Sequence, residues 1–247
     1  GNSFATTSKS VRVDTRRPSA AVTADKEAFS PNGDGVAESA AFIPEISATE
    51  GLVAWTFSIL PAGNGAQVGL SFSGDGTEPP AASYAFDGRG GDGSALPEGA
   101  YKAKLDVAYI NGYRASAESS EIILDRTFPK AQARLDRSSF NPAGSAGQAK
   151  LTISQSGSVE ESWTGRILDA SGTAVKRWTF AGEPATVAWD GLSDGSLAVP
   201  DGTYRYVVSS TDRAGNAFSS AALTFEIDTL RKEAKFAADG AAFSPNG

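Results

Sequence analysis

Trp189-Asp190-Gly191 stands ahead of Val199-Pro200-Asp201-Gly202-Thr203-Tyr204, and the same block occurs earlier as Phe86-Asp87-Gly88 ahead of Leu96-Pro97-Glu98-Gly99-Ala100-Tyr101. Phe86 to Trp189, Pro97 to Pro200 and Tyr101 to Tyr204 are each 103 residues apart. In each copy the Pro and Gly fix a tight turn, after which the Tyr enters a strand. Tyr101, Ala103, Leu105, Val107 and Tyr109 then alternate with Lys102, Lys104, Asp106 and Ala108. That period of two marks a half-buried antiparallel strand, because successive side chains face opposite sides of a sheet. Tyr204, Tyr206 and Val208 follow suit against Arg205, Val207 and Ser209, less cleanly. Leu223, Phe225 and Ile227 repeat the pattern against Thr224 and Glu226, and Trp55, Phe57 and Ile59 share one face. No long segment carries a 3.6-residue period, so helix is minor. The Tyr after each Pro-x-Gly sits where a sandwich places a tyrosine corner, its hydroxyl bonding back to nearby backbone.

Outward from this block the repetition continues. Asp14-Thr-Arg-Arg-Pro18 leads to Phe29-Ser-Pro-Asn-Gly33, Asp125-Arg-Thr-Phe-Pro129 to Phe140-Asn-Pro-Ala-Gly144, and Asp228-Thr-Leu-Arg-Lys232 to Phe243-Ser-Pro-Asn-Gly247. The step from Asp to Phe is 15 residues each time, and the three Phe are separated by 111 and then 103 residues. Trp55 and Trp163 form a looser pair. Gly1-Asn2-Ser3-Phe4 matches Gly215-Asn216-Ala217-Phe218. A period near the size of one sandwich argues for tandem modules. The expected division is 1–17 as the last strand of a preceding module, 18–128 as the first full module, 129–230 as the second, and 231–247 as the first strand of a following module. The chain, which also lacks methionine, thus reads as a piece of something longer. Pro18 and Pro129, at matched positions, stiffen the two junctions because Pro fixes φ. The orphan strands at 1–14 and 236–247 would present edges open to pairing.

At 247 residues the chain suits two such modules rather than one, and 40% hydrophobic with 21% charged residues is ordinary globular usage. With His 0 and Cys 0 there is no Ser-His-Asp triad, no Cys-His pair, no disulfide and no Cys/His zinc site. Each core must therefore depend on packing, and burying Trp163 or Trp189 contributes on the order of 3 kcal/mol. The formal net charge of −7 disfavours nucleic-acid binding. The basic residues gather around Arg12, Arg16 and Arg17, around Arg126, Lys130, Arg134 and Arg137, and around Arg231, Lys232 and Lys235, and read as solvated linker charges. The uncharged stretch Gly51–Gly74 is broken by Pro61, Gly63, Asn64, Gly65 and Gly69 and predicts two strands joined by a turn rather than a membrane span.

The pattern Trp189-Asp190-Gly191, Gly195, Val199-Pro200-Asp201-Gly202-Thr203-Tyr204 and Asp212-Arg-Ala-Gly215-Asn216 resembles the Ig-like domain of bacterial flagellar hook-capping proteins. The opening Phe29-Ser-Pro-Asn-Gly-Asp-Gly35 is similar to the start of gliding-motility-associated and other bacterial surface modules. The second module fits the pattern well. The first departs from it, with Phe86 for Trp and Asn111-Gly112-Tyr113 for Ala-Gly-Asn. The resemblance implies an all-β chain of tandem immunoglobulin/fibronectin-III-like β-sandwiches without a disulfide. It further implies a bacterial, extracytoplasmic (cell-surface, periplasmic or secreted) and non-catalytic setting, without implying a flagellar role.

Candidate chemistry is sparse. Asp87, Asp92, Asp190 and Asp194 each precede Gly, a turn signal in which Gly takes positive φ and Asp bonds its own backbone. Asn32-Gly33-Asp34-Gly35 supplies oxygen ligands of the kind Ca²⁺ takes, so Asn32 and Asp34 are the metal candidates. The loop lacks EF-hand spacing, and its equivalent, Asn141-Pro142-Ala143-Gly144, lacks the Asp. No other cofactor is expected. Trp178, Phe180 and Tyr113 are candidates either for core or for an exposed aromatic surface. Asp87, Gly88, Pro97, Gly99, Tyr101, Trp189, Asp190, Gly191, Pro200, Gly202 and Tyr204 are expected to serve structure. Three functional readings stand side by side: a structural or adhesive Ig-like segment of a large surface or exported protein, a carbohydrate- or Ca²⁺-binding accessory module of an exported enzyme, and a glycosidase needing two convergent carboxylates in a cleft. The expected partners are neighbouring Ig-like modules of the same chain and another protein or glycan, with no nucleic acid and no direct membrane span.

Overall fold

The computed structural model describes residues 13–63, 69–144 and 149–230. Residues 1–12 and 231–247, which hold most of the two expected partial modules, lie outside the described residues. Two compact units make up the chain. One runs to Phe128 and includes Asp212–Asn216, and the other holds Pro129–Thr211 and the residues from Ala217 onward. The five-residue turn Asp212–Asn216 falls within the second module by sequence, yet its contacts place it in the first unit.

The first unit contains β1 (Ala20–Ala24), β2 (Ala28–Phe29), β3 (Ala40–Ile46), β4 (Leu52–Pro61), β5 (Leu70–Gly74), β6 (Tyr84–Phe86), β7 (Gly99–Tyr109), β8 (Arg114–Glu118) and β9 (Ile122–Leu124). One sheet has the order β1-β3-β6. The other has the order β2-β9-β7-β4-β5, with β8 also paired to β7. The uncharged stretch forms the antiparallel pair β4 and β5, as its turn residues predict. All pairings are antiparallel except β2 with β9, where Phe29 lies beside Leu124.

The second unit repeats this plan with β10 (Ala131–Leu135), β11 (Ser139–Phe140), β12 (Leu151–Gly157), β13 (Glu160–Leu168), β14 (Ala174–Gly182), β15 (Val187–Trp189), β16 (Gly202–Thr211), β17 (Ala217–Ser219) and β18 (Leu223–Ile227). Its sheets are β10-β12-β15 and β11-β18-β16-β13-β14, with β17 on β16 and the parallel pair β11 and β18. No described residue is helical. The fold is thus all-β, two Ig/FnIII-like sandwiches without cysteine.

Each unit has its own core. Tyr101, Ala103, Leu105, Val107 and Tyr109 of β7 are all buried against Phe29, Phe42, Phe57 and Phe86. Tyr204, Tyr206 and Val208 of β16 are buried with Trp163, Trp189 and Phe225. The alternation read from the sequence is the alternation of burial, since inward residues come from both sheets of a sandwich. Val207 breaks the rule and is also buried. The two junction prolines, Pro18 and Pro129, are both buried.

Candidate interaction site

The repeated blocks, distant in sequence, converge at one end of each sandwich. Phe86 packs at a tilt between Phe29 at 5.4 Å and Tyr101 at 5.3 Å, centroid to centroid. Trp189 lies in the same way between Phe140 at 5.6 Å and Tyr204 at 5.9 Å. The Tyr101 hydroxyl donates to the Pro97 carbonyl at 2.7 Å, and the Tyr204 hydroxyl donates to the Pro200 carbonyl at 2.7 Å. Gly88 (φ +73°) and Gly191 (φ +80°) need glycine twice over. A Cβ on Gly88 would stand 3.0 Å from Pro31 Cγ, and one on Gly191 would stand 2.6 Å from Pro142 Cγ. The Asp-Gly turn and the Phe-x-Pro opening therefore pack against each other in both units.

The carboxylates of these blocks are engaged in turns and linkers. Asp87 accepts from the Arg89 N–H and Asp190 from the Leu192 N–H, each at 3.1 Å. Asp92 accepts from the backbone and hydroxyl of Ser94, bonds that hold its carboxyl below the usual range. Asp194 accepts from the Arg177 N–H at 3.2 Å. The positive φ that Gly93 takes falls in the second unit on Ser196 (φ 59°), not on Gly195 as the Asp-Gly signal predicts. The reason is the offset of 103, which aligns Gly93 with Ser196. After each Pro, Glu98 and Asp201 receive the linker: Thr127 Oγ1 donates to Glu98 at 3.0 Å and Thr229 Oγ1 to Asp201 at 2.9 Å.

One basic residue is not the solvated linker charge expected of it. The Arg126 guanidinium donates to the carbonyls of Leu96 (3.1 Å), Gly88 (3.3 Å) and Pro31 (3.4 Å), tying the β6–β7 connection to the loop after β2. Arg16, by contrast, stays an exposed linker charge, paired with Asp14 at 2.7 Å and Glu50 at 2.6 Å. Arg126 lines an open cleft of about 390 Å³ with Asn32, Glu38, Asp87 and Arg89.

Asn32 and Asp34, the metal candidates, lie in the loop at the rim of this cleft. Asn32 Oδ1 accepts from the Asp34 N–H at 2.9 Å, Asp34 Oδ1 from the Val36 N–H at 2.7 Å, and Asn32 Nδ2 donates to Asp34 Oδ2 at 3.2 Å. These bonds shape the loop as consecutive Asx turns. Among the described residues no three acidic side chains converge as a metal would need. The aromatic candidates Trp178, Phe180 and Tyr113 are each partly buried within their own unit. Trp178 and Phe180 are half-buried against the second core, Trp178 edge-on to Tyr206 at 6.4 Å. Tyr113 is half-buried against the first, 6.4 Å from Tyr109.

The sequence reading missed the most enclosed polar site. Among the described residues the buried polar side chains are Ser30, Ser210 and Asn216, and two of these three touch. Ser30 Oγ donates to Asn216 Oδ1 at 2.6 Å, and Asn32 Nδ2 donates to the same oxygen at 2.9 Å. Asn216 Nδ2 donates to the Asp125 carbonyl at 3.1 Å and to Asp212 Oδ2 at 2.8 Å. An amide side chain offers two acceptor lone pairs and two N–H donors, and all four are used here. The Asp125 carboxyl is pushed above the usual range by burial, with Asp212 and Glu98 adding like charge. The available signal was the recurrence of Ser-Pro-Asn and of Gly-Asn as separate repeated pieces.

No curated protein matches the chain. Among solved structures it is similar to the tetra-tandem repeat in the extending region of a large adhesion protein, at 18% identity and a TM-score of 0.34. That match covers 86% of this chain, which spans 50% of the other. It is similar to a structure of a 1.5-MDa bacterial ice-binding adhesin at 15% identity, covering 87% of this chain and 67% of that one, TM-score 0.41. It is also similar to the fibronectin(III)-like modules of Clostridium thermocellum CbhA at 13% identity, covering 87% and 100%, TM-score 0.43. Within the second module, residues 138–214 match the family described as the FlgD Ig-like domain.

Proposed function

We propose that this chain is a non-catalytic, structural or adhesive Ig-like repeat segment of a larger bacterial surface or exported protein, acting outside the cytoplasm as a semi-rigid spacer. The observation that carries the reading is the use made of the repeated motifs. Phe29, Phe86 and Tyr101, like Phe140, Trp189 and Tyr204, go into packing, and the Asp and Glu of the same blocks go into turns and linker bonds. Polar groups so engaged support a scaffold rather than a reaction centre. With no histidine or cysteine, the common nucleophile–base pairs are absent. No helix among the described residues is long and apolar enough to cross a membrane.

Support for stiffness comes from the short linker itself. The Asp125 carboxylate accepts from the Thr127 N–H at 2.8 Å, and Asp14 and Asp228 make the same turn with Arg16 and Leu230. Small-angle scattering over a range of concentrations tests the reading. A single well-defined maximum dimension is expected, and scattering that fits only freely jointed modules overturns the spacer. The accessory-module alternative predicts heat on titration with a glycan panel, or a melting shift between Ca²⁺ and chelator that Asp34→Ala abolishes. The spacer reading expects neither.

A further inference from the structure

We infer that Ser30, Asn32 and the main-chain carbonyl of Asp125 form a recognition cradle for one asparagine side chain, and that its occupant is the Gly-Asn turn of a repeat of this kind, here Gly215-Asn216. The inference rests on the tandem-repeat reading and names the partner chemistry within it. The cradle presents a hydroxyl, an amide N–H and a carbonyl. That set of two donors and one acceptor complements a carboxamide, whose oxygen takes two bonds and whose nitrogen gives one. An aspartate in the same place would have no N–H for the Asp125 carbonyl and would add charge beside Asp212 and Asp125. A leucine would leave buried polar groups unpaired, a loss on the order of tenfold or more in an equilibrium. The remaining amide hydrogen goes to Asp212 of the turn itself, whose other oxygen accepts from the Asn216 N–H at 2.9 Å. The occupant is thus shaped in advance.

A second instance of the device lies in the first module. Asn111 Nδ2 donates to the carbonyls of Arg16 at 3.0 Å and Asp14 at 3.4 Å. Asp14 and Asp125 are equivalent in the repeat, and the Asn111 and Asn216 turns both follow the longest strand of their modules. In both places an asparagine from that hairpin holds the linker main chain ahead of its own module.

The cradle is also encoded selectively. Phe243-Ser-Pro-Asn-Gly247, outside the described residues, repeats Phe29–Gly33 without change, and Gly1-Asn2 repeats Gly215-Asn216. The second module instead has Asn141 and Ala143 where the first has Ser30 and Asn32, and Asn141 Oδ1 accepts from the Ala143 N–H at 2.9 Å. Ser-Pro-Asn is therefore the acceptor signature and Gly-Asn the ligand signature.

Hydrogen exchange on the full chain tests this. Asn216→Ala is expected to speed amide exchange about tenfold or more in residues 28–37, 125–128 and 212–216, while β7 and β16 stay protected. Ser30→Ala with Asn32→Ala, made from the other side, is expected to give the same pattern, and adding Asn216→Ala to it should add little. Unchanged exchange in those three segments, or fully additive effects of the two sides, overturns the cradle. If Asn216→Ala also exposes β16, the Ser30/Asn32 variant alone decides by the same criterion. Exchange reads the cradle and scattering reads the spacer, so either can fail without the other.

Discussion

The two modules fill one position of the same core in opposite ways. Phe57 on β4 faces Leu105, and its counterpart on β13 is Gly165, facing Val208. On the neighbouring strand the sizes reverse, with Ala103 in the first module and Tyr206 in the second. A Cβ on Gly165 would overlap the Tyr206 hydroxyl, so the glycine is there for the tyrosine. The exchange brings a polar atom inside, and that atom has a partner: Tyr206 Oη donates to Gln155 Oε1 at 2.7 Å. Burial pushes the Tyr206 phenol up to about 12. In the first module the residue matching Gln155 is Pro44, which suits an alanine that asks for no bond. Backbone plan and side-chain volume are conserved between the modules while the residues that supply the volume are not, as expected of cores specified by total packing.

The largest effects should come from breaking that exchange. Gly165→Phe alone is expected to destabilise the second unit by about 1–3 kcal/mol through overpacking, and Tyr206→Ala alone by about 3–5 kcal/mol through an empty site. The double variant recreates the Phe57/Ala103 solution and should recover more than about 1 kcal/mol relative to the sum. Of the four tryptophans only Trp55 lies in the first unit, so fluorescence-detected denaturation mainly reports the second. Strict additivity would mean that the two positions do not share space.

A smaller effect sharpens what the modules have in common. Tyr101→Phe and Tyr204→Phe each remove a hydroxyl bonded to a Pro carbonyl, and each should cost about 1 kcal/mol. Unequal losses, measured by exchange within β7 and β16, would break the equivalence of the two corners.

The smallest expected effect concerns Asp125. Its carboxyl is pushed up in the folded chain, chiefly by burial, so the folded state holds the proton more tightly than the unfolded state. The associated stability is present at low pH and lost as pH rises through the folded value. Asp125→Asn keeps the oxygen that accepts from Thr127 and removes the charge beside Asp212 and Glu98. It is expected to melt above the parent at neutral pH, with the difference closing as pH falls below the usual carboxylate range. A parent that gains nothing relative to the variant on acidification would remove this account.

Much of this architecture was legible in the sequence because it follows from short-range rules. The alternation from Tyr101 to Tyr109 fixes a strand and its buried face, and Pro-x-Gly-x-Tyr fixes the turn before it. The convergence of Phe29, Phe86 and Tyr101 follows once two copies share one spacing. Less legible was anything that depends on a partner in space rather than on a local pattern. Gly165 reads as a flexible strand residue until Tyr206 is known to occupy its side-chain volume. Asn216 looks like a turn residue, and nothing in its neighbours points to Ser30, 186 positions away. Arg126 reads as a linker charge because its three carbonyl partners lie far from it in sequence, Pro31 in the loop after β2 and Gly88 and Leu96 between β6 and β7.

The parallel pairing of each module's short second strand, β2 or β11, with its last strand, β9 or β18, has a mechanical meaning. The Ile123 N–H bonds the Glu27 carbonyl at 2.8 Å and the Asp125 N–H the Phe29 carbonyl at 3.1 Å, while Glu226 and Asp228 bond Ser138 and Phe140 alike. When the two ends of a module are pulled apart, such parallel strands slide past each other instead of peeling. The tension then falls on both bonds of the pair together, a shear load that such a pair resists better than the one-at-a-time rupture of a zipper.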